Sequence, residues 1–329
     1  MSRGEEPEGF TAAFLKDVLE GLSQPQKAIP ARWLYDDTGS SLFEEITRLP
    51  EYYATRAETE ILESQGAQFA RLIGAGRAVV EFGSGSSLKT PLLLRAIDPA
   101  AYVPLDIAGD FLREAAAELQ AKFPDLPVHP VQADFMRQVE LPDAIAPLRK
   151  LGFFPGSTIG NMVPRTAVDL LREMKATLQE GWSGLAEDAP LLLIGMDLVK
   201  DRAVLEAAYD DGAGVTARFN CNLAARINRE LGGDIPLNQL THVAVWNDEF
   251  ARIEMHLKAK RDISFTVAGQ GFTMRAGETI HTENSHKFTR RSANLLLAAG
   301  GWTPQVRWTD GEERFSLILA RASEPRNAP

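Results

Sequence analysis

The 329 residues are 44% hydrophobic and 24% charged, enough for one large globular domain or two modest ones. A formal charge of −10 argues against a surface built on clustered Lys and Arg, so neither nucleic acid nor a membrane is an expected partner. The single Cys221, the absence of metal-ligand spacing among Cys and His, and the lack of an apolar signal or membrane-spanning run lead to the expectation of a metal-free cytoplasmic protein.

Residues 1–54 read as polar helices. Residues 55–73 place Ile61, Leu62, Phe69, Leu72 and Ile73 at helical spacing. A strand at 77–82 (RAVVEF), a glycine turn, a helix at 88–97, a strand at 101–106 (AYVPLD), a helix at 109–122 and a strand at 127–132 follow. The strands are continuous apolar runs, as in a parallel sheet covered by helices on both faces. The pattern continues with a strand at 151–154, a helix at 164–178 and a strand at 190–196. From Val199 to Glu283 the texture changes to an Arg- and Asn-rich helix at 214–231 and antiparallel strands at 252–258 and 263–274, read as an inserted domain. The chain then predicts a helix at 293–302 ended by Gly300, and a hairpin that turns at Asp310-Gly311 into RFSLILA, 314–320. Doubly wound class I methyltransferases close their sheet with such a hairpin, whereas nicotinamide-binding domains continue with βαβ units. The expected fold class is therefore α/β: a Rossmann-like class I methyltransferase domain (55–198 plus 286–329) with a second α+β domain (1–54 plus 199–285).

The sequence Glu81-Phe82-Gly83-Ser84-Gly85 follows the first sheet strand. Glycines there let the backbone turn sharply and approach a ligand closely. The spacing E-x-G-x-G resembles the first motif of class I methyltransferases and departs from G-x-G-x-x-G, because Leu88 stands at the third glycine position. Asp106 ends the second strand roughly 20 residues later, where a carboxylate can accept from both ribose hydroxyls. Asp134-Phe135 follows the third strand, suited to an adenine amino group and the base edge. Lys89 reads equally well as a partner of the cofactor carboxylate or as a solvated lysine. Each acidic residue alone is more often a cap, but three features at successive strand ends point to S-adenosyl-L-methionine, with S-adenosyl-L-homocysteine as product.

Further segments are longer and more specific: RWLYDDTGSSLFEEITRLPEYYATRAE (32–58), GSTIGN (156–161), DLVKD (197–201), AYDDGAGVTARFN (208–220), RIEMHL (252–257) and TENSHKF (282–288). Together they resemble, over nearly the whole chain, the histidine Nα-methyltransferases of ergothioneine biosynthesis. The resemblance implies that the second domain binds substrate. It implies conversion of L-histidine through mono- and dimethyl intermediates to N,N,N-trimethylhistidine, hercynine, in three transfers. By motif, Tyr52, Asn161 and Tyr209 match the residues that hold the α-carboxylate and amine and carry catalysis. Gly156 and Thr158 match positions near the amine, and Tyr35 matches one closing over the methionine end of the cofactor. Glu283 and Ser285 match the imidazole-reading pair, with Met255 lining the same pocket.

An amide and two phenols suit directional recognition of an amino acid, and a carboxylate suits an imidazole N–H. The histidines His129, His242, His256, His281 and His286 show no ligand spacing and read as surface or packing residues, with the direction of His286 left open. A monomer is compatible with the sequence. Two alternatives stay open: an Nα-methyltransferase of another amino acid such as tryptophan, and a noncatalytic S-adenosylmethionine-binding protein.

Overall fold

The structure is a computed structural model that describes residues 8–85, 89–107, 109–182, 185 and 188–323. Leu88, at the third glycine position, lies outside the described residues. The N-terminal elements are α1 (Glu8–Leu22), β1 (Lys27–Ala28), α2 (Asp37–Thr47), α3 (Ala54–Ser64) and α4 (Gly66–Ile73). There follow β2 (Ala78–Phe82), α5 (Thr90–Ile97), β3 (Ala101–Asp106), α6 (Gly109–Lys122), β4 (Val131–Gln132), β5 (Lys150–Phe154), α7 (Pro164–Gln179) and β6 (Leu191–Asp197). Next come α8 (Arg202–Tyr209), α9 (Val215–Leu231), β7 (Leu240–Asn247), β8 (Arg252–Ala259), β9 (Ile263–Val267), β10 (Gln270–Met274) and β11 (Thr279–His286). The chain closes with α10 (Arg290–Ala299), β12 (Trp302–Thr309) and β13 (Phe315–Ala322). It divides into two compact units, one of residues up to Tyr53 with Lys200–His286, the other of Ala54–Val199 with the residues from Lys287 onward.

In the unit that begins at Ala54, seven strands run in the order β12-β13-β6-β5-β2-β3-β4. The pairs β2/β3, β2/β5, β3/β4 and β5/β6 are parallel, while β13 is antiparallel to both β6 and β12. An antiparallel strand thus sits among parallel ones, the class I methyltransferase arrangement expected from the closing hairpin. Asp310 builds that hairpin's turn by accepting from the amides of Arg314 and Phe315, each at 2.7 Å. Every residue of β2, β5 and β6 is buried, which explains why these strands read as unbroken apolar runs. Helix α7 supplies Ala167, Leu170, Leu171, Met174 and Leu178 to this core, an i, i+3, i+4, i+7 stripe. Strand order reverses at β2 and β5, so their carboxyl ends open the crevice where ligands of open α/β sheets bind.

Three elements of this unit differ from expectation. The helix over 55–73 is two helices, with Gln65 between them. The strand over 127–132 shortens to β4, with only an isolated bridge between Val128 and Tyr102, because Pro127 and Pro130 have no N–H to give the ladder. The last helix begins at Arg290 behind a capping box of Thr289 and Ser292, and Trp302 opens β12 rather than ending the helix.

The other unit holds a four-stranded sheet ordered β1-β11-β8-β7 and a separate β9/β10 hairpin. Phe14, Trp33, Phe219, Leu223, Leu257 and Phe265 are among its core residues. Helix α9 is tied in by Arg226, 2% exposed, which donates to the Trp33 carbonyl at 3.1 Å and lies over the Phe14 ring. Asp36 caps α2 through the Gly39 amide at 2.7 Å and also accepts from Asn222 and Arg229 of α9. Asp211 of AYDD accepts from the amides of Val215 and Thr216 at 2.9 and 2.7 Å, so that acid starts α9. Strands β7 and β11 were not anticipated, and the strand expected over 263–274 is the β9/β10 hairpin, which turns at Ala268-Gly269 with positive φ at both. Among the described residues no helix is long and apolar enough to cross a membrane.

Candidate active site

The loop after β2 is shaped by its two glycines. Gly83 has φ +72° and Gly85 φ +46°, a region that residues with a Cβ rarely adopt. A Cβ on Gly83 would also meet the Phe135 ring at 3.3 Å, whereas at Gly85 it would find open space. The amides of Gly83 and Ser84 both donate to the Leu105 carbonyl, at 2.9 and 3.1 Å, and the Gly85 amide donates to Asp106 Oδ2 at 3.2 Å. Glycine loop, Asp106 and Phe135 therefore form one cluster over the ends of β2 and β3. Phe135 is set edge-on to Phe82 and Phe154. Asp134 is exposed and accepts from the Met136 amide at 3.0 Å, an Asx turn that fixes its carboxylate. Ser84 is buried, 4% exposed.

Glu81 does not reach a ligand surface, which corrects its assignment as a direct cofactor contact. It is 1% exposed and accepts from Thr90 Oγ1 at 2.7 Å and Tyr102 Oη at 2.6 Å. The acid holds the loop from beneath. Burial pushes its pKa up to about 7, against the opposing hydrogen bonds from Tyr102 and Thr90. The folded protein thus keeps a proton that the unfolded chain releases, so the contribution is full below the usual carboxylate value and is lost as pH rises through about 7. Relative to Glu81→Gln, wild-type stability should fall by on the order of 3 kcal/mol across that window. Urea unfolding of both proteins at matched pH values checks this; a pH-independent difference contradicts it.

Lys89 is neither solvated nor free. Its Nζ pairs with Glu58, which is 0% exposed. The same carboxylate accepts from the Gly156 amide at 3.0 and 3.1 Å. Glu58, within the quoted 32–58 motif but without an assigned role, therefore binds the start of α5 to the loop after β5. In that loop Gly156 has φ +77° and Ser157 φ +60°. Ser157 is held in this conformation by the Asp197 amide, which donates to its Oγ at 2.9 Å. Thr158 Oγ1 donates to the Pro155 carbonyl at 3.3 Å. Half-buried Asn161 ends the single 3-10 turn Thr158–Asn161. Asp197 in turn pairs with the fully buried Lys287 at 2.7 Å, a second ion pair with no signature in the sequence.

In the other unit the matched aromatic and polar residues lie together. Tyr209 and Ser285 share a hydrogen bond of 2.6 Å between hydroxyls. The Tyr52 and Tyr209 rings stand edge to face at 6.3 Å, and Phe43 lies 6.1 Å from Tyr52. Tyr35, 38% exposed as a residue, packs between Phe43 and Phe219 and directs its hydroxyl to Glu283 Oε1 at 3.5 Å. Burial of that hydroxyl end, reinforced by the Glu283 charge, holds its pKa well above 10, so it stays a donor. The Tyr209 carbonyl accepts from His242 Nε2 at 2.8 Å, and His242 Nδ1 faces the Asn220 amide nitrogen at 2.9 Å. That amide can only donate, which fixes the Nε2–H tautomer.

Glu283 and Ser285 are 7% and 4% exposed on β11. Their orientation comes from a β-bulge: His281 pairs with His256 of β8 and Glu283 with Met255, so Thr282 is the extra residue. Without it Glu283 would fall on the face of His281, since side chains alternate along a strand. The bulge turns Glu283 and Ser285 onto the face of Met255, itself 1% exposed. His286, next to Ser285 and opposite Arg252, lies on the other face, as do His256 and His281.

A family described as histidine-specific methyltransferase, SAM-dependent, matches residues 14–322. The chain is 41% identical to the histidine N-alpha-methyltransferase of Mycolicibacterium smegmatis over 94% of each chain. It is 40% identical to the enzyme of that name from Mycobacterium tuberculosis, again over 94% of each. An L-tryptophan methyltransferase from Psilocybe serbica is 26% identical over 97% of this chain and 96% of its own.

Proposed function

Because the chain belongs to the histidine-specific, S-adenosylmethionine-dependent methyltransferases, we propose that it converts L-histidine to N,N,N-trimethylhistidine, with Glu283 and Ser285 reading the imidazole. The observation that carries the choice of histidine is the bulge, which sets the Glu283 carboxylate and the Ser285 hydroxyl beside Met255 on a largely apolar sheet face. A buried carboxylate there favours a ring N–H over an indole or phenyl ring.

The glycine loop fits the cofactor: Gly85 leaves open space where a Cβ would stand, and Asp106 beside it is an acceptor for ribose hydroxyls. When bound, S-adenosylmethionine supplies an electrophilic methyl group on a sulfonium. The glycine loop with Ser84 would lie against its amino-acid end, Lys89 would reach its carboxylate while paired with Glu58, Tyr35 would close over it, and Asp134 and Phe135 would border the adenine. Tyr52, Asn161 and Tyr209 orient the α-carboxylate and α-amine of histidine, and Gly156 and Thr158 border the amine. The amine must present a neutral lone pair in line with the S–CH₃ bond. Orientation of this kind supplies roughly 7 to 11 kcal/mol in favourable cases. The departing sulfide needs no proton, so no metal and no single base is required, and solvent takes the proton of the amine. The aromatic rings of Tyr52 and Tyr209 tolerate the fixed positive charge of the final product.

Asp106→Ala is expected to weaken S-adenosylmethionine about ten- to a hundredfold, because a charged acceptor is lost, with histidine binding little changed. Calorimetry of the folded variant with unaltered cofactor affinity contradicts the cofactor assignment. The substrate assignment is tested by competition: in an equimolar mixture of the common amino acids, histidine alone should gain methyl groups, and preferential methylation of tryptophan overturns it.

A further inference from the structure

The face of the β8/β11 pair turned away from Met255 and Glu283 carries a cluster that the methyl-transfer chemistry does not use. Glu254, His256 and His281 each present one ligand atom, and the three lie within 4.8 Å of one another. His256 and His281 are a cross-strand pair with rings stacked at 4.6 Å between centroids. Sequence spacing gave no sign of this, because strand register brings them together.

Each imidazole has one ring nitrogen already engaged. His281 Nε2 faces the Glu283 carbonyl at 3.0 Å and His256 Nε2 faces Glu254 Oε2 at 3.2 Å. A carbonyl oxygen only accepts, so His281 carries its proton on Nε2 and a lone pair on Nδ1, whereas His256 Nε2 and Glu254 Oε2 stand side by side as two ligand atoms that an ion can bridge once their shared proton is released. His256 Nδ1 is buried and has no hydrogen-bond partner among the described residues. The His281 ring N–H donated to the Glu283 carbonyl is the support that a metal-ligating histidine receives. Glu254 is oriented as well: its Oε1 is gripped by Arg252 at 2.6 and 2.8 Å and by Asn247 at 2.9 Å, which leaves Oε2 toward the rings.

We propose that Glu254, His256 and His281 form a binding site for a divalent transition-metal ion of the zinc type. Two imidazoles and a carboxylate suit such an ion, with a fourth position open to water. Ligand bonds of about 2.0–2.1 Å place neighbouring donors roughly 3.3 Å apart in a tetrahedral site, so binding draws the three atoms closer. The Arg252 guanidinium opposes the cation but sits on the Oε1 side of Glu254. An ion there pins β8 to β11 beside the bulge that orients Glu283.

The test is calorimetric titration of tag-free, cofactor-free full-length protein with zinc chloride, and with cobalt chloride followed by visible absorption. One ion per chain is expected. His256→Ala, His281→Ala and the volume-conserving Glu254→Gln should each weaken zinc about tenfold or more and remove the cobalt bands, with circular dichroism establishing that they fold. His129→Ala and Cys221→Ser should bind as wild type does. Absence of stoichiometric binding, or binding that survives the double variant His256→Ala/His281→Ala, overturns the proposal.

Discussion

Glu283→Ala is expected to lower kcat/KM for histidine about ten- to a hundredfold and to raise relative activity toward tryptophan. Glu283 is 7% exposed; if its carboxylate accepts from the substrate imidazole, its loss leaves a ring N–H without an acceptor in a largely dry place, at a cost of about 1 to 3 kcal/mol. The same truncation removes a charge that opposes burial of an apolar ring and frees volume beside Met255, its cross-strand neighbour. Met255→Val added to Glu283→Ala should move the preference further the same way. Because the Tyr35 hydroxyl also faces Glu283 at 3.5 Å, cofactor affinity measured in parallel separates loss of substrate reading from rearrangement of Tyr35. A histidine-to-tryptophan ratio of kcat/KM that stays constant in folded variants shows that Glu283 does not read the imidazole.

Asn161→Ala should abolish nearly all turnover, by about a hundredfold or more, while cofactor affinity stays within a few fold. Asn161 ends a single 3-10 turn behind two consecutive residues of positive φ, Gly156 and Ser157. The turn is fixed from below by Glu58 on the Gly156 amide and by the Asp197 amide on Ser157. A side chain on so constrained a loop is placed with little freedom. If its amide orients the amino acid, removal shifts the nucleophile, and displacement of about 1 Å can cost a hundredfold. Steady-state kinetics and cofactor calorimetry on the same preparation check this; wild-type turnover reduces Asn161 to a turn residue.

The cofactor end was legible because its signals are local. A glycine pair after an apolar strand and an acid at the next strand end have fixed meanings in a parallel sheet, and β2, β3, β5 and β6 form close to where their apolar runs lie. What remained hidden depends on distant partners. Glu81 reads as a ligand-facing acid until Thr90 and Tyr102 are seen to close over it. Glu58 with Lys89 and Asp197 with Lys287 are ion pairs between residues far apart in the chain, so no motif window contains them. Strand β11 was missed because the bulge at Thr282 breaks the period-two pattern: two adjacent residues, Thr282 and Glu283, are both buried. The same bulge sets the face of Glu283 and decides that of His286, whose direction the sequence left open.

The most direct measurement is proton NMR with tandem mass spectrometry of the product formed from purified protein, S-adenosylmethionine and L-histidine alone. The expected result is histidine heavier by one, then two, then three methylene equivalents, the final species showing one resonance for three equivalent methyl groups on the α-nitrogen. Methyl groups on the imidazole ring, or unmodified histidine beside a methylated alternative amino acid, would contradict Nα-methylation of histidine.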